Sequence, residues 1–250
     1  VNEMLTQLKK LIRINLDDLA LCGGVVGGVF LLIHIITALA VRFSDEGSAL
    51  LLSGVVLPIA AGIMTLIVAF SHTMFQFDWA VRYSRTRHRA LGLTLGLVGF
   101  QALFSMALAA LLNLLERSLA PGFWLRLSGR EFIVMDGIPA VPVRGLTADE
   151  AAYRAQRLFI EDFALDWWWW LVIVLGGLVL GLIAGAIFQR FGSKGGWFLW
   201  GFWMFFFVGF QLLPWRTYEI TNWLIPLLVL AVLAASVWSI WSLLHAVIKA

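Results

Sequence analysis

Six stretches of this chain contain no Asp, Glu, Lys or Arg, and they constrain its fold more than any other feature. They run over 19–41, 50–74, 90–115, 167–188, 197–213 and 223–248. A hydrocarbon core of about 30 Å is crossed by roughly 20 apolar residues in a helix. A backbone inside lipid must satisfy its own hydrogen bonds, which selects the helix over other structures. Of the whole chain 61% is apolar and 13% charged, against about a quarter charged in soluble domains. A water-soluble globule is excluded. The expected fold is all-α: a polytopic membrane protein with six transmembrane helices. The fifth run is the shortest, with 17 residues of which nine are aromatic. It either stands upright or continues irregularly past Pro214, and 213–223 could re-enter the membrane.

Lys and Arg near span ends accumulate on the cytoplasmic side. With the N-terminus inside, the inner segments hold Lys9, Lys10, Arg13, Arg82, Arg85, Arg87, Arg89, Arg190, Lys194 and Lys249. The short outer loops hold only Arg42 and Arg216. Both termini are therefore expected in the cytoplasm, and the basic balance follows from topology without implying nucleic acid. Ala38-Leu39-Ala40 has the small-x-small form of a signal-peptide cleavage site. The apolar run before it is too long for such a peptide, so the segment is expected to be retained. Cys22 is the single cysteine, which rules out an intrachain disulfide and a metal-thiolate site.

The polar segments divide the chain. Residues 1–16 carry Met4, Leu5, Leu8, Leu11, Ile12 and Leu16 at helical spacing opposite Lys9, Lys10 and Arg13, an amphipathic helix suited to the cytoplasmic leaflet. Asp17-Asp18 caps the first span. Residues 17–115 then hold three spans, with an inner loop at 75–89. That loop contains Phe77, Trp79, Arg82, Tyr83, Arg85, Arg87 and Arg89, more cation and ring than orientation needs, and fits an acidic grooved surface or lipid phosphates. Residues 116–166 form one extracytoplasmic insertion. There Asp136-Gly137 offers a turn, and Thr147-Ala-Asp-Glu150 reads as a capping box opening a helix through Asp162. Residues 167–250 hold the last three spans, beginning with four tryptophans as an interfacial belt and containing the Gly-rich inner turn 189–196 with Arg190 and Lys194.

Within the spans, Gly23, Gly24, Gly27, Gly28, Gly92, Gly96, Gly177, Gly181 and Gly185 make close helix packing possible, within one chain or between two. Pro58 should kink or break the second span, its freed carbonyl finding a neighbour or water. The polar residues at depth are His34, Gln101, Asn113 and Gln211, which are candidates for a substrate pathway. No acid lies in any run, and no zinc, nucleophile or phosphate-loop motif appears. An enzyme or an ion-driven carrier is therefore not indicated, and no cofactor or metal is expected in the chain.

Two inner stretches carry a family resemblance. Phe77-Asp-Trp-Ala-Val-Arg-Tyr-Ser-Arg-Thr-Arg-His-Arg-Ala-Leu-Gly92 resembles the F-x-x-A-x-x-x-G-x-(S/T)-R-(R/K) element of permease subunits of bacterial type-2 class ABC exporters. Ala-Ile-Phe-Gln-Arg-Phe-Gly192 resembles that family's A-x-x-x-R-(F/Y)-G stretch. The two cover about 25 residues, and Ser84 stands where the family has glycine. The resemblance implies the small six-helix form in the bacterial cytoplasmic membrane, paired with itself or a related permease. It also implies a separate ATPase that holds ATP and Mg. Residues 75–89 would be the coupling helix, with Arg190 and Lys194 as a second contact.

Two other classes remain open: a substrate-binding membrane subunit of a vitamin-type importer, and a sensor or assembly protein using 116–166. The aromatic fifth run and low intramembrane charge favour an amphipathic or apolar cargo, a peptide, drug or lipid.

Overall fold

A computed structural model describes residues 6, 9, 10, 13, 15–43, 48–77, 81, 86–135, 149, 153, 156–212 and 218–245, with 206, 207, 209–212 and 218–229 described in backbone only. Most of the amphipathic segment, the middle of the 75–89 loop and the capping box lie outside these residues. In chain order the elements are α1 (Leu16–Phe43), β1 (Ser48–Leu51), α2 (Ser53–Ser71) with a π turn (His72–Gln76), α3 (Arg87–Ser128), β2 (Phe132–Met135), β3 (Arg157–Asp162), α4 (Trp167–Phe191), α5 (Ser193–Leu212) and α6 (Tyr218–His245).

The protein is mostly helical and membrane-embedded. Among the described residues, four helices are long and apolar enough to cross a bilayer: Leu16–Phe43, Ser53–Gln76, Arg87–Ser128 and Trp167–Phe191. Their outward faces are apolar as well: Leu31, Leu32, Ile35 and Ile36 on α1 are each more than half exposed, a patch that only lipid or another chain can cover. Asp17 and Asp18 lie in the first turn of α1 and Arg42 in its last, each opposite in sign to the end of the helix dipole it meets.

The chain divides into two compact units. One comprises Asp17–Met64 and Leu103–Val174, the other Val1–Leu16, Thr65–Ala102 and Leu175–Ala250.

The first of these, the sheet unit, contains a three-stranded parallel sheet in the order β1-β3-β2. Ala49 pairs with Ile160, and Ile133 with Leu158. Here the helix expected through Asp162 is corrected: 157–162 is the central strand. Leu158, Phe159 and Ile160 are all buried, so this segment is covered on both faces, as in a central parallel strand, and has no polar face for an amphipathic helix to show. Val41 of α1, Ala120 and Trp124 of α3, Ala49, Leu51, Leu158 and Ile160 form one core.

Pro58 lies inside α2 without ending it. A proline at 58 frees the carbonyl of Gly54 four residues earlier, and the amide of Leu165 donates to that oxygen at 3.3 Å. The connection needs glycine at 54, where a Cβ would stand 2.9 Å from Ala164 Cα.

In the second, helical unit, Gly185 lies where a Cβ would be 2.6 Å from Thr73 Cβ and 3.1 Å from Phe70 O, so the backbone of α4 lies close against the end of α2 and its π turn. Gly192, with φ 61°, ends α4 in the left-handed conformation glycine allows. Its amide reaches Phe188 O at 2.7 Å. The Gly-rich turn expected over 189–196 thus shrinks to one residue before α5 begins.

Candidate functional site

The helical unit gathers most of the residues expected at the inner face. Phe77, next to the π turn, is buried with Ala90, Leu91, Ala186 and Leu243, and Val81, Leu95 and Leu244 pack around them. One cluster therefore joins the end of α2 to α3, α4 and α6. The π turn is internally tied. Thr73 Oγ1 donates to Ala69 O at 2.7 Å, the buried His72 Nδ1 donates to Gln76 Oε1 at 2.5 Å, and Gln76 Nε2 donates to Asn15 Oδ1 at 3.4 Å. Such one-residue widenings of a helix recur at functional positions.

Arg87 lies in the first turn of α3 and donates to Leu244 O at 2.9 Å, occupying a carbonyl at the end of α6 that the helix cannot satisfy itself. Arg190, at the end of α4, donates to Ser242 Oγ at 3.3 Å. Its guanidinium lies 5.6 Å from the Trp238 ring centroid and 5.7 Å from that of Trp241, within cation–π range.

The nine residues expected to couple to an ATPase therefore separate. Phe77, Arg87 and Arg190 are internal struts of the helical unit. Arg89 is half-buried on α3, and Lys194 is exposed in the first turn of α5. Trp79, Arg82, Tyr83 and Arg85 lie outside the described residues.

The sheet unit holds a polar cluster of a different kind. Glu116 is 3% exposed. Its Oε2 accepts the Ser53 amide at 3.0 Å, and its Oε1 lies 3.7 Å from His34 Nε2. The other ring nitrogen of His34, Nδ1, faces Phe30 O at 2.9 Å. Trp124 stacks on the imidazole, with centroids 5.7 Å apart and planes at 28°. Ser53 Oγ and Trp124 Nε1 are buried without a hydrogen-bond partner among the described residues. Next to Glu116, Arg117 is neutralised by Asp162 at 2.8 Å.

Of the four expected pathway residues, His34 belongs to this cluster. Asn113 lies one turn before Glu116 on α3, its Oδ1 buried without a hydrogen-bond partner among the described residues. Gln101 is buried in the helical unit, and neither of its amide atoms has a partner among the described residues. Gln211 is in α5, its side chain outside the described residues.

Sequence reasoning missed Glu116, Ser53 and Trp124. Glu116 follows the third apolar run by one residue, and that pattern alone places it in the expected extracytoplasmic insertion. The usable signal was the lack of any stop at 115: neither glycine nor proline occurs until Pro121, and α3 passes through that proline to Ser128. Asn113, Glu116, Ala120 and Trp124 recur every three or four residues and share one face.

Among the described residues, no three His, Cys, Asp or Glu side chains gather where they could hold a metal ion. Comparison with family models, with curated proteins and with solved structures found no match.

Proposed function

We propose that the chain is the membrane-spanning permease subunit of an ATP-driven ABC exporter. All six helices would cross the bacterial cytoplasmic membrane with both termini inside, and the permease would pair with a second copy or a related chain. A separate ATPase would hold ATP and Mg.

The observation that carries this reading is the anchoring of the basic segment at both ends. Phe77 enters it from a core shared by α2, α3, α4 and α6, and Arg87 leaves it tied to Leu244 O of α6. A segment clamped in this way cannot move without pulling on all four helices. Arg190 adds a further tie between α4 and α6. The residues that would meet the ATPase are then Trp79, Arg82, Tyr83 and Arg85, with Arg89 and Lys194 as further contacts. ATP-driven closure of the ATPase would draw on this segment and shift the permease between its inward- and outward-facing states, to the extent that the ATPase binds one state more tightly. The cargo class that fits is amphipathic or apolar.

The reading requires a P-loop ATPase encoded beside this chain. With the two co-expressed, Arg82→Glu combined with Arg85→Glu is expected to lower ATPase co-purification at least tenfold, about 1.4 kcal/mol, while membrane insertion is unchanged. Arg87 is left intact because reversing it would also uncap α6. Undiminished co-purification, or a gene neighbourhood without such an ATPase, overturns the proposal.

A further inference from the structure

Arg190 is held in place, yet its charge is unanswered. Its Nη1 donates to Ser242 Oγ at 3.3 Å, and the guanidinium lies 5.7 Å from the Phe191 ring centroid, 5.6 Å from that of Trp238 and 5.7 Å from that of Trp241. A guanidinium carries five N–H donors and a permanent charge. Among the described residues Ser242 is its one hydrogen-bond partner, no carboxylate pairs with it, and Arg190 is exposed. Over 167–250 the one acid is Glu219, which stands in the first turn of α6, about 30 Å along the helix from Trp238.

The two tryptophans under this cation also belong to a groove. Trp238 and Trp241 line it together with Leu230, Leu233, Ala234 and Val237, all on one face of α6, and its volume is about 570 Å³. Every lining side chain is apolar or aromatic. From Leu230 to Trp241 the helix rises about 16 Å, close to one leaflet of a hydrocarbon core about 30 Å thick. The groove thus has the length of one acyl chain, and the cation stands at its tryptophan end, where such rings meet headgroups.

We propose that this groove holds one anionic phospholipid of the surrounding bilayer, its phosphate on Arg190 and one acyl chain along α6 from Trp241 to Leu230. Arginine takes phosphate oxygens through paired N–H donors, and a guanidinium already fixed by rings and by Ser242 loses little freedom in doing so. A zwitterionic headgroup carries its own cation to the same place and gains less. A second copy seated here by α4, α5 or α6 would bring no acid but Glu219 to meet Arg190, so charge favours lipid. The bound lipid bridges α4 and α6 where Arg190 and Ser242 already join them. Only the placement of α6 in the membrane is taken from the transport reading. Loss of ATPase co-purification would overturn that reading and leave the lipid test standing.

The test is native mass spectrometry of the full chain in detergent, titrated with phosphatidylglycerol or with phosphatidylcholine of the same acyl chains. The first phosphatidylglycerol should bind wild type about fivefold more tightly than Arg190→Gln, the effect of one basic residue on an anionic lipid. Phosphatidylcholine should bind both alike. Arg42→Gln removes the same charge from the exposed end of α1 and should leave phosphatidylglycerol affinity unchanged. Ala234→Trp fills the groove without touching the tie to Ser242 and should displace the first phosphatidylglycerol; it decides the matter if Arg190→Gln does not fold. Equal losses in Arg190→Gln and Arg42→Gln, an affinity that ignores Ala234→Trp, or a lipid-free dimer overturns the proposal.

Discussion

Gly181→Leu is expected to pull α4 away from α2 and to abolish the folded helical unit. A Cβ at 181 would overlap the carbonyl oxygen of Leu66 and stand 2.7 Å from Ala69 Cβ. The obstacle is backbone and cannot rotate aside. Lipid tails are as apolar as leucine, so helices in a bilayer associate through close packing and not through hydrophobic expulsion. Losing that packing loses most of what holds the pair. Alanine alone should cost about 1–3 kcal/mol, as overpacking generally does, and leucine more. Gly24→Ala is the control: nothing lies within 4 Å of its Cβ position, and alanine is the better helix former by about 1 kcal/mol. The midpoint of unfolding in detergent with added SDS should fall sharply for Gly181→Leu and hold or rise for Gly24→Ala. Equal midpoints for the two would show that the α2–α4 approach is not what holds the unit together.

The second large effect is expected at Trp124. Its side chain is 1% exposed and fills the core between α3 and the sheet. Truncation to alanine should cost about 3–5 kcal/mol and strip hydrogen-exchange protection from Leu158, Phe159 and Ile160. Trp124→Phe should be much milder, because it keeps most of the apolar bulk and removes an indole N–H that has no partner among the described residues. The neighbouring Phe123 is 56% exposed, so Phe123→Ala should stay within about 0.5 kcal/mol of wild type. Exchange rates of 158–160 that ignore Trp124→Ala would show that the strand is held by something other than this core.

What could be read in advance follows from which forces write themselves into a one-dimensional pattern. Charge exclusion from lipid does, and so four of the six apolar runs overlap helices long and apolar enough to cross a bilayer, down to the start of α4 at Trp167. Helix ends were less legible. The run from Leu50 looked continuous, yet its first residues pair in β1 and α2 begins at Ser53, because the sheet uses apolar residues just as lipid does. β3 was misread for a related reason: Arg157-Leu-Phe-Ile-Glu-Asp162 follows a helix-start signal, and its burial on both faces depends on partners far away in the chain. Glu116 shows the same limit at the site. Its burial is set by Ser53 and His34, 63 and 82 positions distant in sequence, and no local pattern announces it. The basic segment, by contrast, declared itself by composition, although the use of Arg87 as an internal strut needed the fold.

Pro58 leaves a last consequence. The oxygen it orphans is claimed by the main-chain amide of Leu165, so the bond is blind to the side chain at 165. An alanine scan would pass over this stitch in silence and score the position as dispensable. Only a residue without an amide hydrogen would expose it, which means that one proline, at 58, is tolerated on condition that a second never appears at 165.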